Sequence, residues 1–370
     1  MAKISLIGAG SVVFARRLLQ DIVCVPELND STVSLMDTDP ERLALMSKFA
    51  NKLARDTGTN IKVETTPSRR EALADSDYVL TTIRVGDSFE RDIAIPLKYG
   101  VDQSVGDTVG PGGVFKALRT APVLMDICHD IEEVAPDAWL LQYTNPMAMA
   151  CWAINEATDV KAVGLCHSVQ RTTQVLADYI GAPHDDVWAW VAGINHMAWF
   201  LRFERDGKDA YPALWDALDD DDTYTKDPVR FEVMRHFDNF VTESTRHMSE
   251  YVPYFRVNPD RIHDFNLDAI EVDLARLEKR NEEYFDKMRQ EIKGDGPLVA
   301  ERSDEYACRI MGAMESGEST VINGNVYNEG LITNLPTQSC VEVPCLVDKG
   351  GLHPMQIGDL PPQLAALNMS

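Results

Sequence analysis

No stretch of this 370-residue chain approaches the roughly 20 apolar residues needed to span a bilayer. Met1-Ala2-Lys3 leads straight into a strand-like segment, without the apolar core of a signal peptide. Positive charge is scarce. Against 59 Asp and Glu stand 35 Lys and Arg, a formal net charge of -24. Nucleic acid and anionic membrane would both be repelled, so neither is expected as a partner. The seven cysteines are odd in number and scattered, with no Cys-x-x-Cys pair. That usage suits a reducing, cytoplasmic setting, with thiols free or bound to metal. Internal repeats, low-complexity segments and Pro/Ser linkers are also missing. The acidic run Asp219-Asp220-Asp221-Asp222 reads as a solvated loop. What remains is an ordinary globular composition, 45% hydrophobic and 25% charged, long enough for one large α/β unit or two domains.

The first half alternates short apolar strands with helical periodicity, the pattern of a parallel sheet. Ile4-Ser5-Leu6-Ile7 runs into Gly8-Ala9-Gly10-Ser11. Gly8 permits a tight turn, Gly10 lets backbone approach a pyrophosphate, and Ser11 opens a helix whose N-terminus favours phosphate charge. The third glycine of the usual fingerprint is absent, and Val13 stands there. Context carries the motif instead. A second strand, Thr32-Val33-Ser34-Leu35-Met36, ends at Asp37, placed to accept a hydrogen bond from a ribose hydroxyl. The competing role for Asp37 is an N-cap on the helix that starts at Pro40, a role Asp39 fills equally well. Further strands are expected over 77–83, 138–143 and 161–165, with a helix over 115–134.

Two stretches bring metal-binding chemistry to strand ends. Cys166 follows Val163-Gly164-Leu165, and His196 follows Val191-Ala192-Gly193-Ile194-Asn195. A thiolate and an imidazole together suit a borderline divalent ion, and two protein ligands leave an open, catalytic type of site. The plain alternatives are a small buried thiol and a structural histidine. Gly106 to Gly113 packs four glycines and a proline into eight residues, a loop able to approach a ligand closely or an ordinary irregular connection. Asn145, before Pro146, is placed for a sugar hydroxyl or a nicotinamide ribose, or is a turn residue.

Beyond Met197 the pattern loosens. An antiparallel strand is expected at 199–203 and helices at 229–239, 267–291 and 303–314. In a helix, Glu243, His247 and Tyr251 would share one face, as a catalytic surface with Tyr251 as base or as a hydrogen-bonded interface. Asn323-Gly324-Asn325-Val326, Asn334-Leu335-Pro336 and Val341-Glu342-Val343-Pro344 read as loops and short strands able to close over a cleft.

Taken together, Ile7-Gly8-Ala9-Gly10-Ser11, Leu35-Met36-Asp37-Thr38-Asp39, Asp107-Thr108-Val109-Gly110-Pro111-Gly112-Gly113, Tyr143-Thr144-Asn145-Pro146-Met147, Gly164-Leu165-Cys166-His167-Ser168, Gly193-Ile194-Asn195-His196 and Asn334-Leu335-Pro336 resemble family 4 of the glycoside hydrolases. Cys166-His167-Ser168-Val169-Gln170 and Gly193-Ile194-Asn195-His196-Met197-Ala198 look most like its α-galactosidase branch. The resemblance implies an α/β Rossmann-type parallel sheet, like that of lactate and malate dehydrogenases, over residues 1–190. It implies an α+β substrate and metal domain over 191–370. Relatives continue past the stretch matching Leu360-Pro361-Pro362, so this second domain is expected to be shortened. The implied activity is hydrolysis of α-galactosides with NAD and Mn2+ or another divalent metal. It proceeds by oxidation at C3, loss of the C2 proton, elimination, water addition and re-reduction. The resemblance implies Cys166 and His196 as metal ligands and Gly8, Gly10, Ser11, Asp37 and Asn145 on the cofactor. Asn145, Asp107 and Arg119 would line the substrate cleft, with His167 as leaving-group acid and Tyr251 as base. It implies a homodimer or homotetramer. Alternatives within the family are an α-galacturonidase or α-glucosidase. Outside it stand an NAD-dependent 2-hydroxyacid dehydrogenase and a non-catalytic NAD-binding sensor.

Overall fold

The apolar runs of the first half become strands covered on both faces, so that Ile4, Val33, Leu35, Val79, Leu80, Leu140 and Leu141 are wholly buried. In the computed structural model, which describes residues 1–86, 89–267 and 270–370, the alternation is regular. It runs β1 (Lys3–Ile7), α1 (Phe14–Val23), β2 (Thr32–Met36), α2 (Pro40–Thr57), β3 (Lys62–Thr66), α3 (Arg69–Leu73) and β4 (Tyr78–Thr81). Then come α4 (Phe89–Leu97), α5 (Gly110–Val134), β5 (Trp139–Gln142), α6 (Met147–Ala157), β6 (Lys161–Gly164) and α7 (Ser168–Tyr179). The strands lie in the order β3-β2-β1-β4-β5-β6 and are all parallel, the arrangement of a dinucleotide-binding sheet. Its order reverses between β1 and β4, and the crevice above that point is where ligands bind in such sheets.

The second half adds β7 (Val187–Ile194), β8 (Met197–Arg205), β9 (Lys208–Asp209), α8 (Tyr211–Leu218), α9 (Asp221–Tyr224), α10 (Pro228–Phe237), α11 (Thr245–Tyr251) and α12 (Pro259–Asp264). It finishes with α13 (Ile270–Lys293), α14 (Tyr306–Ser316), β10 (Thr320–Tyr327), β11 (Cys340–Asp348), β12 (Gly351–Pro354) and α15 (Pro362–Met369). These strands do not form a separate sheet. β10 joins β6 antiparallel through Asn325 opposite Gly164, and β11 joins β7 through Glu342 opposite Gly193. Asn325 also pairs with Glu342, so Gly164, Asn325, Glu342 and Gly193 form one row across four strands. That row brings the end of β6, with Cys166 just beyond it, alongside the β7–β8 turn that carries His196. Among the described residues, no helix is long and apolar enough to cross a membrane.

Several expectations are corrected. The segments 323–326 and 341–344 are not closing loops. They lie within β10 and β11, with Glu342 and Val343 fully buried. Their valines pack inward, while Asn325 and Glu342 occupy the central row. The glycine-rich run is only half loop, since α5 begins at Gly110 rather than 115, with Pro111 in its first turn. Gly112 is required by packing: a Cβ there would lie 2.3 Å from the Gly106 carbonyl oxygen and 2.4 Å from that of Asp92. The helix expected over 267–291 runs from Ile270 to Lys293, and 268 and 269 lie outside the described residues. The helix expected over 229–239 stops at Phe237 because Asp238 turns left-handed, with φ 67°.

Candidate functional site

Two neighbouring cavities open at the carboxyl ends of the parallel strands. The first, about 660 Å3, is lined by Gly8, Gly10, Ser11, Asp37, Thr82 and Arg84, among others. Gly8 has φ +89°, and a Cβ there would lie 2.8 Å from the Thr82 carbonyl oxygen, so the turn from β1 demands glycine. Asp37 does not cap α2, since the Asp39 side chain accepts from Glu41 N and Arg42 N. Asp37 Oδ2 instead accepts from Gly10 N (2.7 Å) and Oδ1 from Asp39 N (2.9 Å). It therefore braces the glycine turn from within the cavity and keeps lone pairs for a diol. Helix α1 proper starts at Phe14, three residues later than expected, and Ser11 Oγ accepts from Phe14 N (3.2 Å). A helix start, two glycines and an acid within one crevice match what a dinucleotide needs.

The second cavity, about 750 Å3, has Cys166, His167, His196, Glu243, Asp107 and Asn145 in its wall. Ligand atoms of Cys166, His196 and Glu243 lie within 4.8 Å of one another. His196 Nε2 is 3.3 Å from Glu243 Oε1, while His196 Nδ1 is 3.1 Å from the Tyr251 hydroxyl and 3.4 Å from Thr108 Oγ1. His196 (φ 66°) and Glu243 (φ 73°) both hold left-handed backbone, which is rare outside glycine. Strain of this kind persists only where the surroundings impose it. For His196 the cause is the tight β7–β8 turn, closed by Ile194 pairing with Met197. For Glu243 it is Arg230, a buried guanidinium that is paired with Asp227 and also takes the Glu243 carbonyl.

The protonation states suit a metal. Burial pushes the Cys166 thiol up, and the nearby carboxylates of Glu342 and Glu243 push it further. Burial takes the His196 imidazole down to about 4 against the opposing pull of Glu243, so it is neutral and able to ligate. Burial alone would raise Glu243, but the imidazoles of His196 and His247 outweigh it and hold the carboxyl well below its usual range. Burial likewise pushes Glu342, deep behind this group, up to about 8. A thiol, a neutral imidazole and a carboxylate are a complete donor set for a borderline divalent ion, and such an ion deprotonates a thiol it binds. Three protein ligands leave positions open for substrate, as in a catalytic site.

Around this cluster, His247 Nδ1 is 3.1 Å from Glu243 Oε2, and Nε2 is 3.7 Å from Asp107 Oδ1. Burial disfavours the imidazolium, but those two carboxylates outweigh it and raise His247 well above its ordinary range. Asn145 Nδ2 donates to Asp107 Oδ2 (3.2 Å). His167 is half-buried at the start of α7, with its Nδ1 3.9 Å from Glu305 Oε1.

The structure thus gathers Cys166, His167, His196, Asp107 and Asn145 into one cavity and Gly8, Gly10, Ser11 and Asp37 into the next. Two expected residues lie elsewhere. Arg119 is in the wall of neither cavity; it grips Asp92 with both terminal nitrogens and donates from Nε to the Val85 carbonyl (2.9 Å). It lines an apolar groove between α4 and α5. Tyr251 does not line the cleft. It ends α11 behind His196, and burial raises its phenol far above the ordinary value, with Asp107 adding to the rise. The single helical face expected for 243–251 is broken at its start, because Ser244 caps α11 and Glu243 precedes it. That break turns Glu243 toward Cys166 and His196, a placement its sequence spacing concealed. Glu305, buried beneath His167, had no local signal at all. Replacing Glu243 by Ala should weaken Mn2+ binding by about 10²-fold or more, at least the upper end of what losing an outer-shell partner costs. Titration calorimetry on folded variant would check this, and wild-type affinity would remove Glu243 from the ligand set.

Comparison with known proteins agrees with this geometry. The chain matches the model described as family 4 glycosyl hydrolase over residues 3–182 and the family 4 glycosyl hydrolase C-terminal domain over 191–370. It is 43% identical over 374 residues to an alpha-galactosidase of Bacillus subtilis (strain 168), covering all of this chain and 86% of that one. Among solved structures, lplD of Bacillus subtilis superposes with a TM-score of 0.88 at 26% identity, covering 100% and 89% of the two chains. A 6-phospho-alpha-glucosidase from gut microorganisms, solved in complex with NAD and Mn2+, gives 0.82 at 22%, covering 100% and 87%, and shares the fold. With both halves matched and full-length identity above 40%, the chain belongs to glycosyl hydrolase family 4.

Proposed function

We propose that this protein hydrolyses α-galactosides with NAD and a divalent metal, without net oxidation of the sugar. The observation that carries the reading is the Cys166–His196–Glu243 cluster, buried beside a dinucleotide crevice. The preference for galactose is supported by the alpha-galactosidase relative at 43% identity. Residues 1–190 would bind the dinucleotide, and residues 191–370 would supply His196, Glu243 and the cover over the sugar. When bound, NAD supplies a reversible hydride acceptor at sugar C3, and a divalent ion supplies the positive charge that makes the C2 hydrogen acidic.

The chain's own groups do the rest. Gly8, Gly10 and Ser11 would seat the pyrophosphate, and Asp37 would take the ribose hydroxyls. Asn145 and Asp107, held together by their hydrogen bond, would orient the sugar hydroxyls. His167 would hand its proton to the departing glycosidic oxygen, with Glu305 behind it to keep the ring turned toward the cleft. Tyr251 was expected to remove the C2 proton, yet its hydroxyl meets His196 Nδ1. This supports a positioning role, fixing the imidazole so that Nε2 faces the metal. A reducing, cytoplasmic setting belongs to the same reading and is supported by seven free cysteines.

A second copy of the chain is the partner we infer. Tyr99 (83% exposed), Phe115 and Leu118 (65% each), with Ile95, Leu97, Val101 and Val114, form an apolar face on α4 and α5. At roughly 100 Å2 apiece these seven side chains offer about 700 Å2, close to the ~800 Å2 each partner contributes to a standard interface. Residues 93–101 and 108–125 contain no Asp or Glu in a chain of net charge -24, so two copies can meet here with little repulsion.

Three measurements test these statements. Purified protein with nitrophenyl α-galactoside should turn over only when NAD and Mn2+ are both present, and NADH should not accumulate. Turnover without NAD, or stoichiometric NADH, would sink the reading. Tyr251→Phe should weaken Mn2+ binding about 10-fold or more, as loss of a group orienting a ligand does. Unchanged metal affinity with loss of C2 proton exchange would return Tyr251 to the role of base. Sedimentation should show an oligomer that the double variant Phe115→Glu, Leu118→Glu converts to monomer. Persistence of the assembly in that variant would exclude this face.

A further inference from the structure

The segment 102–108 carries Asp107 to the cleft wall, yet its backbone amides pair with neither strand nor helix. Three of them converge on one side chain. Glu250 Oε1 accepts from Ser104 N (2.5 Å), Val105 N (2.6 Å) and Ser104 Oγ (3.2 Å), and Oε2 accepts from Gly106 N (3.0 Å). Three successive amides around a carboxylate make an anion nest, and Gly106 at φ +56° supplies the left-handed turn that a nest requires. Arg256 reinforces the clasp: it donates to Asp102 Oδ1 (3.0 Å), Ser104 Oγ (2.7 Å) and Ser249 Oγ (2.8 Å). One residue beyond the nest, Asp107 faces Asn145, Lys116 and His247. One residue further, Thr108 reaches His196 Nδ1.

Glu250 sits on α11 three residues after His247 and directly before Tyr251. One short helix therefore holds the cleft from both sides. Through His247 and Tyr251 it touches the metal cluster, and through Glu250 it fixes the opposite loop. Neither link shows in local sequence, because loop and helix lie far apart in the chain, with 145 positions from Val105 to Glu250.

We propose that Glu250 is a positioning residue for the reaction, clamping Ser104–Gly106 so that Asp107 stands at its working distance from Asn145 and His247. It contacts none of the reacting atoms, and the proposal rests on the glycosidase reading given above. Without the carboxylate, three amides lose their shared acceptor and the loop relaxes. A shift of about 1 Å at a group holding substrate costs about 10²-fold in rate.

The test uses the full chain with NAD and Mn2+, as Glu250→Ala and the isosteric Glu250→Gln. Expected are a fall in kcat of about 10²-fold for Glu250→Ala, affinities for NAD and Mn2+ within about twofold of wild type, and partial recovery with added formate. The primary isotope effect with substrate deuterated at C2 should grow, because misplaced substrate slows the chemical steps themselves. Should Glu250→Ala fail to fold, Glu250→Gln carries the same isotope test. A kcat within about threefold of wild type, or a fall in kcat with the isotope effect unchanged, overturns the proposal, since lost folded enzyme alone gives the latter. Wild-type protein inactive on every α-glycoside would overturn the glycosidase reading and this proposal with it. An active wild type whose Glu250→Ala kcat stays within about threefold of wild type, or whose Glu250→Gln does so where Glu250→Ala does not fold, would overturn this proposal alone.

Discussion

Bringing a thiol, an imidazole and a carboxylate within 4.8 Å of one another in the interior carries a desolvation cost, which the His247 imidazolium beside Glu243 offsets in part. Much of the surrounding structure can be understood as holding those three side chains in place against that cost. The β7–β8 turn forces His196 into left-handed backbone, and buried Arg230 does the same for Glu243 by taking its carbonyl. Cys166 arrives from the parallel sheet itself, just beyond the row of Gly164, Asn325, Glu342 and Gly193. Each of the three side chains thus comes from a rigid element or is pinned to one, the rigidity that a metal site needs to keep open positions for substrate.

The second consequence is adjacency. A parallel sheet of order β3-β2-β1-β4-β5-β6 gathers its strand ends above one crevice, so Gly8, Asp37, Thr82, Asn145 and Cys166 fall along one edge. The antiparallel strands of the second half extend the same sheet rather than forming their own. The metal cluster consequently lies beside the dinucleotide crevice by construction, and chemistry shared between a nicotinamide and a metal needs that closeness. A cofactor-only dehydrogenase has no use for a buried thiol facing a carboxylate, and a passive sensor has no use for either.

Helix α11 is where the halves of the cleft are tied together. It is one short helix, yet its residues contact the metal cluster, the Asp107 loop and the His196 imidazole. Charges alternate along the path from Asp107 through His247 to Glu243. Each partner holds the next in its charged form, although burial opposes charge on all three. Such a chain is sensitive to small displacements, because interactions within a low-dielectric cleft change steeply with distance.

The parallel half was legible in the sequence because its signals are local. Apolar runs bounded by glycine and acid mark strands and their ends, and Gly8-Ala9-Gly10 followed by Asp37 needs only the adjoining strand and helix to be understood. Cys166 and His196 were legible as strand-end residues of metal-binding type, and the family resemblance joined them. Glu243 was noticed but misassigned, since spacing of four and eight suggested an unbroken helix, whereas Ser244 caps α11 and turns Glu243 out of it. Arg119 was placed at the cleft by the family resemblance, but both its terminal nitrogens pair with Asp92. Segments 323–326 and 341–344 were read as loops and short strands able to close over a cleft, yet they lie within β10 and β11, where Asn325 and Glu342 sit in the central row of the sheet. The amino-acid order by itself determined the strands, the glycine turn and the types of group available for chemistry, because these depend on neighbours a few residues apart. Only the tertiary structure decided that Glu243 joins Cys166 and His196, that Glu305 backs His167 and that Glu250 clasps the Asp107 loop, because each contact closes a long stretch of chain and leaves no periodic trace within it.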